Sequence, residues 1–588
     1  MSTTHSDHAD EQTRPGEPTP GEPTPGRWRS LLVAAALGFA VCSLAVRLVQ
    51  LQLLAAADLE RLATRQSTIR EVAPAKPGDI VDRHGRLLAT SITTRSVFVV
   101  PAKLESAWET AGQLAGALNL DQKKLFDEIS DRAQSQFMWV KRRCSDEEAE
   151  RVRALGLRAE CWGIRDEHLR RYPQGTLAAH VLGLRDIDGV GRGGIEEACD
   201  TQLKGVDGQR RLLLDSRGRV IDIAEDEFPA IDGRTVHLAI DSVVQVHVER
   251  ALDAAMETWR PLSVCAIVAD PNSGEVLAMA SRPTFDPNSP ESIPDDAWRN
   301  RTISDIYEPG STLKPLIVAW ALQTGLARID ESFDCEWGEY RMGKRVLHDH
   351  HRYGVLSLTD VLVKSSNIGM AKIGERLGNE QLHRALKTLG FGSPTGIELP
   401  GELAGVVRPL EKWTSYSTGS VPMGHEVSAS PLQTLAAYFP LCNGGRMVSP
   451  HLVLAEPHGA GGASQVIASD ALDPDVADWV RMNPLTAVVE RGTGRQARLA
   501  GYTIFGKTGT AQKLDPATGQ YSHDRHMGSF LCGGPVDDPR AIVIVCVDEP
   551  TAGSGERFGG RVAAPTAAAI LQATLRHLRV PESAPVAR

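Results

Sequence analysis

Residues 262–280 read LSVCAIVADPNSGEVLAMA, and this stretch decides the fold. Two apolar runs, 262–269 and 275–280, flank Asp270-Pro271-Asn272-Ser273-Gly274, which reads as the bend of a hairpin. The bend superficially resembles a calcium loop but lacks the later carboxylates. Further strands are predicted at 236–240, 502–505, 527–532 and 541–547, and an Ala- and Leu-rich helix at 563–578. Strands at both ends of a domain with a mainly helical insert between them imply one antiparallel sheet closed by the two termini, with helices on its faces. The expected class is α+β.

Upstream of this domain the texture is mixed. With 588 residues and 63.5 kDa the chain exceeds one ordinary core, so at least two domains are expected. Residues 1–29 form a polar, proline-rich tail with a tandem Gly-Glu-Pro-Thr-Pro repeat, expected to stay disordered. Residues 30–54 are apolar enough to cross a bilayer of about 30 Å, with Arg47 reaching back to the interface. Ala55-Ala56-Ala57 offers a peptidase site, but the long tail ahead of the apolar run favours an uncleaved anchor. Arg14, Arg27 and Arg29 on one side balance Arg47, Arg61 and Arg65 on the other, so charge alone does not orient the anchor.

Residues 55–232 carry short strands such as 96–100 and a helix over 121–133, with a turn at Arg83-His84-Gly85-Arg86. The glycine-rich stretch 189–194 lacks the Lys-Ser/Thr of a phosphate loop and reads as a flexible turn. No nucleophile meets a base here, so a structural or docking role is expected. A net charge of −10 without a basic stripe argues against a nucleic-acid partner. None of the nine cysteines forms a C-x-x-C pair. Cys265 and Cys546 read as core residues, while Cys144, Cys161 and Cys199 are near enough in sequence to pair in an oxidising compartment.

Three motifs carry the chemistry. Glu308-Pro309-Gly310 breaks the chain before Ser311-Thr312-Leu313-Lys314, and an apolar helix is predicted over 312–324. Pro315 is tolerated in its first turn. Ser311 would then sit where helix N–H groups favour developing negative charge, with Lys314 one turn deeper on the same face. Desolvation and a second cation can make a lysine neutral and able to take a serine's proton. Ser365-Ser366-Asn367 falls between predicted helices at 358–364 and 368–377, placing Ser365 and Asn367 on a loop tip. Lys507-Thr508-Gly509-Thr510 continues a strand, with Lys507 and Gly509 on one face and Thr508 and Thr510 on the other. Gly509 would let another backbone approach, as suits a peptide laid along an edge strand. Taken singly, each motif is equally a helix cap, a polar turn or a strand end. The ordered set is the nucleophile, shuttle and carboxylate anchor of enzymes that acylate themselves on D-alanyl-D-alanine or a β-lactam.

Here the chain resembles the class B, monofunctional penicillin-binding proteins, peptidoglycan D,D-transpeptidases, over roughly residues 30–577. Further resemblances are Arg171-Tyr172-Pro173, His180, Gly183, Gly194-Ile195-Glu196 and the stretch from Asp270 to Asn288. Arg299-Asn300-Arg301 and Glu308-Pro309-Gly310 resemble the division-type branch. Lys76-Pro77-Gly78 stands where an Arg-Gly pair is more usual, and 420–430 departs from the usual Gly-Tyr-Gly-rich segment.

The resemblance implies a pedestal or dimerisation-type domain over 55–232. A transpeptidase domain over 233–578 would be built on a five-stranded antiparallel sheet, followed by a tail at 579–588. It implies Ser311 as nucleophile, Lys314 as base, Ser365 as proton relay, Asn367 on the substrate amide, and Lys507, Thr508 and Thr510 on the terminal carboxylate beside Gly509. The N–H groups of Ser311 and Thr510 would form the oxyanion hole. It further implies a single pass through the inner membrane with the bulk of the chain extracytoplasmic. The implied partners are peptidoglycan stem peptides, β-lactams as covalent inhibitors, a membrane glycosyltransferase and divisome proteins.

A class A lactamase would need a deacylating glutamate, and no Glu-x-x-Leu-Asn lies between Ser365 and Lys507. A D,D-carboxypeptidase and a non-catalytic β-lactam receptor or divisome scaffold remain as alternatives. His348-Asp349-His350-His351 reads as a solvated loop, and neither metal nor cofactor is expected.

Overall fold

The computed structural model describes residues 27–54, 68–215, 220–455, 468–514, 520–551 and 558–582. Nearly all of the expected N-terminal tail, the Ala55-Ala56-Ala57 triplet and most of the C-terminal tail lie outside these residues. The chain divides into two compact units, 1–71 with 210–226, and 72–209 with 227–588. The first unit contains helix α1 (Arg27–Val49), which continues as a π-helical turn over Gln50–Leu54. Trp28–Leu53 is long and apolar enough to cross a membrane, and none of its most apolar window is buried against protein.

The second unit begins with a pedestal sheet. Its strands are β1 (Ile80–Val81), β2 (Leu87–Val99), β3 (Met138–Cys144), β4 (Trp162–Arg171) and β5 (Val236–His237). They run in the order β5-β1-β2-β3, with β4 also paired to β2. The expected turn at Arg83-His84-Gly85-Arg86 joins β1 to β2, and the predicted helix near 121–133 forms over Gln122–Asp131 behind its Asp121 cap. Two expectations are corrected. The strand predicted at 236–240 is short and pairs in parallel with β1, so it belongs to the pedestal and not to the catalytic sheet. The glycine-rich stretch 189–194 is no loose turn. Gly191-Arg192 pairs with Leu184-Arg185, and a Cβ on Gly191 would stand 1.9 Å from the Glu196 carbonyl oxygen. Beneath it, fully buried Glu196 accepts from Arg170 Nε at 2.6 Å, Arg185 Nε at 3.0 Å and the Tyr172 hydroxyl at 3.2 Å.

The catalytic sheet starts after helix α2 (Ser242–Trp259), capped by Asp241. Its strands are β6 (Ser263–Ala269), β7 (Val276–Arg282), β8 (Phe505–Leu514), β9 (Tyr521–Gly534) and β10 (Ala541–Asp548), all antiparallel, in the order β7-β6-β10-β9-β8. The hairpin at Asp270–Gly274 joins β6 to β7 as expected. Every residue of β6 and β7 is buried because both faces are covered. Val264, Ala266 and Val268 pack with α2 and the C-terminal helix (Ala564–His577), whereas Cys265 and Ile267 face the helical insert. Cys265 stands opposite Cys546 in the ladder, and all nine cysteines are free thiols, including Cys144, Cys161 and Cys199.

The insert supplies α3 (Lys314–Gln323), α4 (Leu358–Lys364) and α5 (Asn367–Thr388, kinked at Gly378). The chain closes with α6 (Ala564–His577). The strand expected from Tyr502 begins only at Phe505, so β8 is an edge strand running through Lys507-Thr508-Gly509-Thr510.

Candidate active site

Ser311 lies in a 3-10 turn, Gly310–Thr312, and α3 begins two residues later than its predicted start, at Lys314. The turn is held from several directions. Thr312 Oγ1 donates to Pro309 O at 2.7 Å, the Tyr438 hydroxyl donates to Thr312 O, and Gly310 N donates to Gly424 O at 3.2 Å. The contact with 424 is backbone on backbone, since a Cβ on Gly424 would come within 2.1 Å of Gly310 O. Gly424 also has φ +85°, so glycine satisfies both the close approach and the left-handed backbone. α3 itself is buried from Lys314 to Ala321, which desolvates the lysine at its head.

Lys314 Nζ donates to Ser365 O at 2.7 Å and Asn367 Oδ1 at 2.8 Å, and lies 3.3 Å from Ser365 Oγ. Burial pulls its pKa down to about 7, against an opposing pull from the Asp349 charge. From the other side Lys507 Nζ donates to Ser365 Oγ at 3.0 Å and to Thr508 O at 3.2 Å. Burial, reinforced by the neighbouring Lys314 charge, holds Lys507 well below the ordinary lysine range. The structure thus brings Lys314, Ser365, Asn367 and Lys507 together, with Ser311 one turn ahead of Lys314.

Ser365 and Asn367 are not on a free loop tip, as the sequence suggested. Ser365 is a left-handed residue (φ 58°) closing α4, and Asn367 opens α5 with Nδ2 donating to His348 O at 3.0 Å. Nor does Gly509 leave room for a ligand backbone. A Cβ there would stand 2.3 Å from Ser529 Oγ of β9 and 2.9 Å from Thr312 Cγ2, so the space is filled by the neighbouring strand and the nucleophile's turn. Thr508 and Thr510 do face the other way. Thr508 Oγ1 shares a hydrogen bond with Thr493 Oγ1 at 2.8 Å, and Gly559 N donates to Thr510 Oγ1 at 3.1 Å.

Two carboxylates to which sequence reasoning assigned no role in the site's hydrogen bonding support it. Asp349, read as part of a solvated His-rich loop, accepts from Ser366 Oγ at 2.7 Å, Ile368 N at 3.1 Å and Asn367 N. It therefore seats the whole Ser365–Asn367 break on the N-terminus of α5. Glu308, directly before the nucleophile's turn, accepts from His425 Nδ1 at 2.8 Å, Glu426 N at 2.9 Å and the Tyr521 hydroxyl at 3.0 Å. Burial raises its pKa, but these bonds outweigh that effect and leave the carboxyl below its usual range. The only sequence signal for this tie was the departure over 420–430, which contains His425 and Glu426.

Two family matches cover most of this architecture. Residues 264–572 match the penicillin binding protein transpeptidase domain, and residues 72–238 match the penicillin-binding protein dimerisation domain. The chain belongs to the class B penicillin-binding proteins. It is 34% identical to stage V sporulation protein D of Bacillus subtilis over 86% of this chain and 78% of that protein. It is also 30% identical to the peptidoglycan D,D-transpeptidase FtsI of Escherichia coli over 94% of this chain and 92% of that one. Among solved structures, penicillin-binding protein 3 of Mycobacterium tuberculosis complexed with aztreonam superposes with a TM-score of 0.69. The identity there is 29%, covering 88% of this chain and 99% of that one. This class B protein is accordingly a penicillin-binding transpeptidase of the serine acyltransferase type, made for peptidoglycan synthesis.

Proposed function

We propose that this class B protein cross-links stem peptides during septal wall synthesis through an acyl-enzyme on Ser311. The observation that carries the chemistry is the convergence of two buried lysine Nζ atoms on Ser365 Oγ, one turn from Ser311. Lys314, with its pKa near 7, takes the Ser311 proton as the hydroxyl attacks the penultimate D-alanine carbonyl. The N–H groups of Ser311 and Thr510 hold the oxyanion. The Lys507–Ser365–Lys314 chain then delivers a proton to the departing D-alanine. Asn367 holds the substrate amide, and Lys507, Thr508 and Thr510 the terminal carboxylate. An acceptor amine resolves the ester, with Lys314 or Ser365 receiving its proton.

In this reading residues 1–29 are a cytoplasmic tail and 30–54 a single inner-membrane anchor. Residues 55–232, with β5 at 236–237, form the pedestal, the transpeptidase domain over 233–578 acts outside the cytoplasm, and 579–588 form a short tail. A membrane glycosyltransferase and divisome proteins are the partners, and β-lactams such as those bound by the Mycobacterium tuberculosis relative acylate Ser311. Glu308-Pro309-Gly310 and Arg299-Asn300-Arg301 support the septal assignment by their resemblance to the division-type branch.

Supplying lipid-linked stem peptides to the membrane-embedded protein separates the outcomes. Cross-linked dimers support the transpeptidase, whereas free D-alanine without dimers means a carboxypeptidase. A tagged copy concentrated at the septum supports the division role, and side-wall or spore-specific localisation refutes it.

A further inference from the structure

Away from the active site, three residues distant in sequence converge on one oxygen. His84 comes from the β1–β2 turn, Asp241 caps α2, and His577 is the last residue of α6. Asp241 is fully buried, and its Oδ2 lies 3.0 Å from His84 Nε2 and 2.8 Å from His577 Nε2. The three potential ligand atoms all lie within 4.8 Å of one another. Asp241 Oδ1 is occupied by the N–H groups of Val243 and Val244, which fix the carboxylate and aim Oδ2 at the two rings. The half-exposed side chain of His84 keeps one flank of the cluster open to solvent.

We propose that His84, Asp241 and His577 form a binding site for a divalent transition metal, with Zn2+ the best match. Two imidazole nitrogens and one carboxylate oxygen, with a water in the fourth position, are a zinc donor set. Ligand atoms on a tetrahedron with bonds of about 2.0–2.2 Å stand roughly 3.3–3.6 Å apart, so each ring nitrogen moves back from Asp241 Oδ2 by a few tenths of an ångström, and the two ring nitrogens, at most 4.8 Å apart, close to that spacing. Without metal each ring donates from Nε2 to Asp241 Oδ2; a metal would replace those protons on Nε2 and leave the ring proton on Nδ1.

The surrounding charge admits a cation. Asp82, Asp241 and Arg86 are linked beside the histidines, and Arg83, next to His84, is paired with Glu275 at 3.0 Å. Arg86 Nη1 is nearer Asp82 Oδ2, at 3.4 Å, than Asp241 Oδ1, at 3.9 Å. Asp82 thus takes the larger share of the guanidinium charge, and Arg86 meets Asp241 on Oδ1, away from the Oδ2 that faces the two rings. The site staples the pedestal turn to the end of the catalytic domain. Sequence motifs do not reveal it, because its members are 157 and 336 positions apart.

The test uses the tag-free full-length protein in detergent, stripped with a chelator and titrated with Co2+, then Zn2+. One Co2+ per chain should appear with visible ligand-field absorption, be displaced by Zn2+, and be matched by a Zn2+-dependent rise in Tm. His84→Asn and His577→Gln keep a hydrogen-bond donor towards Asp241 but remove the imidazole. Both should lose the absorption and the Zn2+ effect while retaining metal-free Tm and penicillin acylation. A wild-type protein with no Co2+ band and a Tm unmoved by Zn2+ overturns the site. So does a band that survives in both variants.

Discussion

Lys314 and Lys507 are both fully buried, and both bring Nζ to Ser365 Oγ, at 3.3 and 3.0 Å. Two like charges that close, away from water, disfavour each other, so protons are shared across the hydroxyl and neutral lysine is accessible. With Lys314 near 7, the acylation rate of the wild-type protein should rise with pH through about 7 as the neutral amine accumulates. Asp349 works against this by raising the lysine. Asp349→Asn should therefore move the acid limb to lower pH. It also weakens the charge-assisted bonds that seat Ser366, Asn367 and Ile368, each worth about 1.5–3 kcal/mol, so the limiting rate should fall roughly tenfold to a hundredfold. Stopped-flow acylation across pH reads both effects, and an acid limb shifted upwards contradicts the role given to Asp349.

At the scale of elements, the nucleophile's turn depends on a neighbouring loop. Gly424→Ala forces a Cβ to 2.1 Å from Gly310 O at a left-handed φ of +85°, which displaces the turn at a cost of about 1–3 kcal/mol. Acylation by penicillin should fall while β8 and its ladder persist, as hydrogen exchange of the sheet would show. In the pedestal, Glu196→Gln leaves Arg170 and Arg185 facing each other without their buried counter-charge. A loss of about 3–5 kcal/mol is expected, measured by chemical denaturation.

These two sites also mark the limit of what the sequence conveyed. The β6–β7 hairpin, α4 and the residues that the structure gathers around Ser365 were legible because each rests on local pattern: apolar runs, a turn pentapeptide, a Pro-Gly break. Asp349, Glu308 and His425 were not, because what they do depends on partners that only the folded chain brings near. Tyr521, for example, reaches Glu308 from 213 residues away. The strand at 236–237 was found by its composition, but its partner, β1 some 156 residues earlier, carried no mark that could identify it.

For the whole molecule, the apolar helix and the catalytic sheet fall in different compact units. Removing residues 1–54 should release the protein from membranes without changing penicillin acylation. Fractionation and labelling of the truncated chain check this, and loss of labelling in a soluble, folded fragment contradicts it.

The central claim is that Ser311 carries the acyl group. Peptide mass mapping of the penicillin-treated full-length protein tests it most directly. One adduct should map to Ser311 and be absent from Ser311→Ala; an adduct on another residue, or one that persists in the variant, contradicts the account.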